Sequence, residues 1–149
     1  MISMSDINAG LVAFVRSTAA KMYGENIPVK VLSNDEKTSE RPSVRIFTDN
    51  IGINRISSGA RFMEITCEIY FYTRDARQYR IENLKIAELF ADKLLEPLLI
   101  NDSFAVYPDN IQIETDEGYV ICSFDISMLE DMPEDDLLLA EELENNITT

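Results

Sequence analysis

Histidine is absent from this chain of 149 residues, and glycine, proline and cysteine are scarce, with five, five and two residues. Without histidine, the chain lacks the most common general base of enzymes and the most common metal ligand. Five glycines leave no room for a glycine-rich loop that cradles phosphate. Two thiols without histidine provide too few ligands for a metal site. We therefore expect a protein that is not an enzyme and has no cofactor or metal.

The two cysteines, Cys67 and Cys122, fit a reducing compartment. Both fall on the apolar phase of predicted strands, so we expect buried hydrophobic thiols, which is the usual state of free cysteine. A structural disulfide between them would require that the two strands are neighbours.

Basic residues are also few. The chain has 13 of them and 27 acidic residues, which gives a net charge of −14. The segment from Glu130 onward holds eight acids and no base, which leaves 19 acids and 13 bases, or −6, for the rest. At this length one domain is the expectation. We predict a single α+β domain over residues 1–129 and an acidic C-terminal tail or short helix over residues 130–149. The charge disfavours non-specific binding to nucleic acid and to anionic membranes, and the apolar runs are too short to span a bilayer.

Two segments have the periodicity of amphipathic helices. The first begins with Ser5 as its N-cap and stops at Gly24. The second spans residues 75–99, and its width suits either burial on two sides or a protein interface. Its main stripe consists of Ile81, Leu84, Ala87, Ala91, Leu94 and Leu98, and Ile86, Leu89 and Phe90 widen it.

Two long segments, residues 62–73 and 119–128, alternate strictly between apolar and polar residues, which is typical of strands with one buried face. Shorter strands are predicted at residues 28–33, 43–48, 104–108 and 111–114. The element order is therefore α-β-β-β-α-β-β-β, with a possible short C-terminal helix. This order predicts a mostly antiparallel sheet with two main helices packed on one face. The buried alternating residues are Met63, Ile65, Cys67, Ile69 and Phe71 in the first strand, and Val120, Cys122, Phe124, Ile126 and Met128 in the second.

Residues 49–60 are predicted to form either a long hairpin loop or a mobile flap, because glycine and serine recur there. Five arginines are predicted near one strand-helix corner beside this segment, where they would bind an acidic partner surface or balance nearby acids. A basic corner and an acidic tail on one chain suit head-to-tail association, which closes into rings. The candidate interface residues are Arg55, Arg61, Arg74, Arg77, Arg80, Ile86 and Phe90.

Four stretches give the chain a recognisable character over residues 6–131: the helix with Ile7, Leu11 and Val15, then EIYFYT, ENLKIAELFADKLLEPL and GYVICSFDISML. Their order and type resemble the tail-terminator, or tail-completion, proteins of long-tailed phages and phage-like particles.

The resemblance implies a structural protein that forms a six-fold ring on the end of the tail tube, stops tube polymerisation and presents the head-joining surface. The implied partners are other copies, the tail tube protein and a head-side connector, with no sequence-specific binding to nucleic acid and no membrane. The implied location is the cytoplasm of the bacterial host during assembly, then the tail of the virion or particle. An acidic lumen would let DNA slide without sticking. The alternatives are another assembly component, such as a head-closure or tube protein, and an acidic inhibitor that mimics DNA.

Overall fold

A computed structural model describes residues 2–32, 40–74 and 77–131, so the predicted C-terminal helix lies outside the described residues. The elements are α1 (Met4–Tyr23), β1 (Lys30–Val31), β2 (Ser43–Ser57), β3 (Ala60–Tyr72), α2 (Tyr79–Leu94), β4 (Leu98–Asn101), β5 (Phe104–Val106), β6 (Asp109–Asp116) and β7 (Tyr119–Asp131).

These elements build a five-stranded sheet in the order β1-β2-β3-β7-β6, while β4 and β5 form a separate two-stranded sheet. All pairs of the larger sheet are antiparallel except β1 with β2. The predicted α+β class with two helices and a mostly antiparallel sheet is confirmed.

The core lies between the helices and the two long central strands. β3 and β7 pair along their whole length, with Ile65 opposite Ile126 and Cys67 opposite Phe124. The apolar faces predicted from the alternation are buried in both strands, and both helices pack on them. Cys67 and Cys122 are free and buried on these neighbouring strands, and burial raises the pKa of each thiol to about 12.

The ends of both helices differ from the sequence prediction. Ser3, not Ser5, is the N-cap of α1, because its Oγ accepts from the amide of Asp6 at 3.1 Å while Asp6 Oδ2 accepts from the amide of Ser3 at 3.1 Å. α2 ends at Leu94 instead of continuing to residue 99. Pro97 does not suit a continuing helix, and residues 98–101 form β4 instead. Four strands therefore follow α2 in the described residues, one more than predicted.

The buried stripe of α2 also has a different phase from the predicted one. Ile81 and Leu84 of the predicted main stripe are 67% and 60% exposed, so this stripe is not the face that packs on the core. The buried face instead runs through Asn83, Ile86, Phe90 and Leu94. Asn83 begins this face, and its polarity concealed the true phase in the sequence.

Asn83 is buried because its amide is fully used. Its Oδ1 accepts from Thr73 Oγ1 at 2.9 Å, and its Nδ2 donates to the carbonyl oxygens of Asp116 at 2.9 Å and Tyr119 at 3.4 Å. These bonds tie the end of β3 and the turn between β6 and β7 to the first turns of α2.

Candidate assembly surfaces

The segment predicted as a loop or flap, residues 49–60, is regular structure. β2 continues to Ser57 and β3 begins at Ala60, so only residues 58–59 form the turn. Two of the residues that suggested a loop form an irregularity within β2. Asn50, at φ 49°, and Gly52 belong to a bulge between Asp49 and Gly52. This end of the hairpin exposes three isoleucines, Ile51, Ile53 and Ile56, which are 48%, 57% and 62% exposed.

The five arginines do not share one corner, so that prediction was wrong. Arg55 and Arg61 lie opposite each other on β2 and β3 at the turn end of the hairpin. Arg74 follows the other end of β3. Thirteen residue steps separate Arg61 from Arg74, which corresponds to roughly 40 Å at about 3.3 Å per strand residue.

Arg61 is engaged inside the molecule. Its Nε and Nη2 donate to Glu130 Oε2 at 3.1 and 2.9 Å, and Glu130 Oε1 accepts from the amide of Ile2 at 3.1 Å. The Glu130 side chain is only 5% exposed. Glu130 therefore belongs to the folded domain, since β7 runs to Asp131, and the predicted boundary after residue 129 falls inside this strand. Arg55, in contrast, is exposed.

Arg74, Arg77 and Arg80 are exposed where β3 leads into α2. The amide of Arg74 donates to the hydroxyl of Tyr23 at 3.2 Å, and that hydroxyl donates to Glu82 at 3.2 Å. Burial raises the pKa of Tyr23 to about 12, so this phenol is a fixed neutral link between α1 and α2. Arg74 also lines a cavity of about 620 Å³ between the end of α1 and α2. These three arginines remain a proposed partner-binding group.

Ile86 and Phe90 do not belong to any exposed interface, and their prediction as interface residues was wrong for the folded monomer. Both side chains are completely buried in the core. Phe90 packs against Phe71 and Phe14, with ring centroids 5.9 and 5.7 Å apart. Their apolar character is therefore explained by packing of α2 on the sheet.

The face of the large sheet opposite the helices, which we term the open face, is acidic. Its residues alternate with the buried ones along β3 and β7, and the strand register adds their neighbours on β2 and β6. Sequence reasoning missed this surface as a unit, because alternation assigns faces within one strand while the register between strands was unknown. The carboxylates of the open face are Asp49, Glu64, Glu68, Asp109, Glu114, Asp116, Asp125 and Asp131.

Asp125, near the middle of β7, is held in a fixed geometry on this face. It accepts from Asn110 Nδ2 and from Thr66 Oγ1, both at 2.8 Å. These hydrogen bonds, of which the one from Asn110 is the stronger cause, lower the pKa of the Asp125 carboxyl. The open face therefore keeps this negative charge at neutral pH.

One end of the open face carries an aromatic cluster instead of carboxylates alone. Tyr119 lies between Tyr70 and Tyr72, with ring centroids 6.3 and 5.7 Å apart. The guanidinium groups of Arg41 and Arg45 each lie 5.8 Å from the centre of the Tyr72 ring. Arg41 also donates to the carbonyl oxygens of Thr73 and Gly118 at 3.1 and 2.9 Å, which fixes this end of the sheet.

Within the described ranges, no group of three or more carboxylate or cysteine residues is arranged to hold a metal ion. No helix in the same part of the chain combines the length and apolar character needed to cross a membrane.

The fold is that of a small α+β protein whose distinctive surface features are an acidic sheet face and exposed arginines and isoleucines. A family model described as phage tail terminator protein matches residues 15–137. The chain therefore belongs to the phage tail terminator family, as the resemblance implied, and it is a structural protein of a phage tail. No curated protein matches it significantly.

Proposed function

We propose that copies of this protein form a ring that caps the end of the tail tube, stops its growth and presents the surface to which the head is joined. Family membership supports a role at the tail. The observation that carries the ring geometry is the open face, because one side of the sheet is covered by helices while the other presents carboxylates. A ring with the open face inward lines its channel with negative charge. DNA phosphates are repelled by such a wall and slide past it.

The separation of the arginine groups suits two different partners. Arg55 lies at one end of the long strands, and Arg74, Arg77 and Arg80 lie at the other end, roughly 40 Å away by strand length. If the strands run along the ring axis, one group faces the tube protein and the other faces the head-side connector. Assembly then takes place in the host cytoplasm before the protein becomes part of the particle.

The experiment that tests this function removes the protein from the parent particle and restores it as variants. Without the protein, we expect tubes of uncontrolled length that are not joined to heads. Wild-type protein restores both properties, whereas the combined variant Arg74→Glu, Arg77→Glu and Arg80→Glu folds but fails at one of its two contacts. Arg16→Glu, an exposed arginine in the middle of α1, is the matched control and restores assembly. Normal tails without the protein would refute the proposal.

A second candidate, an inhibitor that mimics DNA, is favoured by the same carboxylates, because a mimic needs acids spread over a folded surface. It predicts that the protein competes with DNA for a DNA-binding nuclease, and that added salt abolishes the competition. The ring proposal predicts no such competition.

A further inference from the structure

Both sides of the large sheet present a strand edge that no described strand covers. β1 pairs with β2 only at Ser43 and Val44, so the rest of the outer edge of β2 lacks a strand partner among the described residues. β6 ends the sheet on the opposite side. Such edges carry backbone donors and acceptors that readily accept a further strand.

We propose that β6 of one copy pairs with β2 of the next copy, so that the sheet continues from subunit to subunit. This inference rests on the proposed ring and identifies the two surfaces that close it. β2 with β3, β3 with β7 and β7 with β6 are all antiparallel, so β6 runs opposite to β2. Copies related by rotation, with their helices on the same side, therefore bring β6 and β2 together as an antiparallel pair. Two different surfaces meet in this contact, which is the arrangement that generates closed rings.

The two edges also offer regular stretches of equal length. On β2, residues 45–49 lie between the pairing with β1 and the bulge. On β6, residues 112–116 follow an irregularity after Asp109. Each stretch pairs in register with its inner neighbour, so each is straight enough to accept a partner along its outer edge.

The side chains of these stretches match in polarity on both faces. On the helix side, the register places Ile46 and Thr48 on β2, and Ile113 and Thr115 on β6. Antiparallel pairing then sets apolar and threonine side chains beside each other across the subunit boundary, a combination that stabilises strand pairs. A one-residue slip would set these side chains opposite residues of the acidic face of the other copy, so the pattern disfavours odd shifts of the register.

On the open face, the pairing brings one base of the β2 stretch to a carboxylate of the β6 stretch. The β6 stretch contains Glu114 and Asp116 and no base, while the β2 stretch carries Arg45 at one end and Asp49 at the other. The Nε of Arg45 is buried and has no hydrogen-bond partner in the described part of the chain. The register that aligns the centres of the stretches, Phe47 and Glu114, places Arg45 opposite Asp116. Opposite charges on facing strand positions favour this pairing.

Cysteine cross-linking of the full chain tests the contact. Glu114→Cys is combined in turn with Arg45→Cys, Phe47→Cys or Asp49→Cys, which all lie on the open face and together cover the central register and its two-residue shifts. Each variant is added to purified tail tubes and oxidised. One of the three combinations should give a ladder of covalent species at successive multiples of the monomer mass. The native cysteines do not interfere, because both are buried.

The matched control is Glu114→Cys with Thr48→Cys, whose side chains point to opposite faces and should give no ladder. As an independent measure, Arg45→Glu or Asp116→Arg alone should reduce the number of capped tubes several-fold, and the two together should restore it. Capped tubes with no ladder from any combination and no rescue by charge exchange would overturn the strand pairing but not the ring. A chain that stays monomeric both free and on tubes would overturn both proposals.

Discussion

At the scale of single residues, the ion pair between Arg61 and Glu130 shows how position decides the role of a charge. Both residues belong to groups that looked exposed in the sequence, one near a flexible segment and the other at the start of an acidic tail. In the fold they face each other across β3 and β7, and Glu130 also accepts from the amide of Ile2. The pair therefore fastens the N-terminus and the ends of both central strands.

Replacing Glu130 by alanine should lower the free energy of unfolding by about 2–3 kcal/mol, because it leaves a partly buried arginine and a backbone amide without their acceptor. Glu130→Gln, which keeps an acceptor for Ile2, should lose less. Asp131→Asn, at the exposed neighbouring position, is the control and should change stability by no more than about 0.5 kcal/mol. Urea unfolding followed by circular dichroism measures all three variants. Equal stability of Glu130→Ala and wild type would show that the ion pair does not hold the strands.

Cys67 and Cys122 should not react with thiol reagents at pH 8 until the protein unfolds. Their pKa values of about 12, raised by burial, leave almost no thiolate, which is the reactive form. Because the folded pKa lies above the ordinary value of 9.0, the contribution of each thiol to stability is complete below about pH 9 and is lost as the pH rises towards 12. Thiol titration with and without denaturant, and unfolding at pH 8 and pH 10, check both statements. Rapid labelling of the native protein would contradict them.

At the scale of elements, the strands were more predictable than the helix α2. Strict alternation in β3 and β7 allows only one buried face, and the residues predicted there are buried. In α2, apolar residues surround much of the helix, so several stripes fit the helical period equally well. The hydrogen bonds of Asn83 to β6 and β7 select the face, and these partners are more than 30 residues away in the sequence. Local periodicity cannot supply such information.

The observed phase of α2 predicts a large loss of stability on truncating one large apolar residue of this helix and a small loss on truncating another. Phe90→Ala should destabilise the protein by about 3–5 kcal/mol, since it leaves a cavity against Phe71 and Phe14. Leu84→Ala, on the same helix but 60% exposed, should change stability by no more than about 0.5 kcal/mol. Thermal unfolding distinguishes the two variants. A large loss for Leu84→Ala with a small loss for Phe90→Ala would restore the stripe predicted from the sequence.

At the scale of the whole molecule, the sequence predicted the fold class and the family but not the arrangement of the candidate surfaces. The segment at residues 49–60 looked like a loop because bulge and turn residues share the composition of loops. The arginines looked like one group because they are close in the sequence, but β3 runs between Arg61 and Arg74 and places them at opposite ends of the sheet. The acidic open face and the unpaired edges appear only once strand order is known.

The proposed ring on the tail tube is tested most directly by adding the purified protein to isolated tail tubes of the parent particle and imaging their ends by electron microscopy. A terminator ring should appear as a cap at one end only, with a central channel, and capped tubes should no longer lengthen when tube protein is added. Bare ends, or caps that leave tube growth unchanged, would contradict the proposed ring.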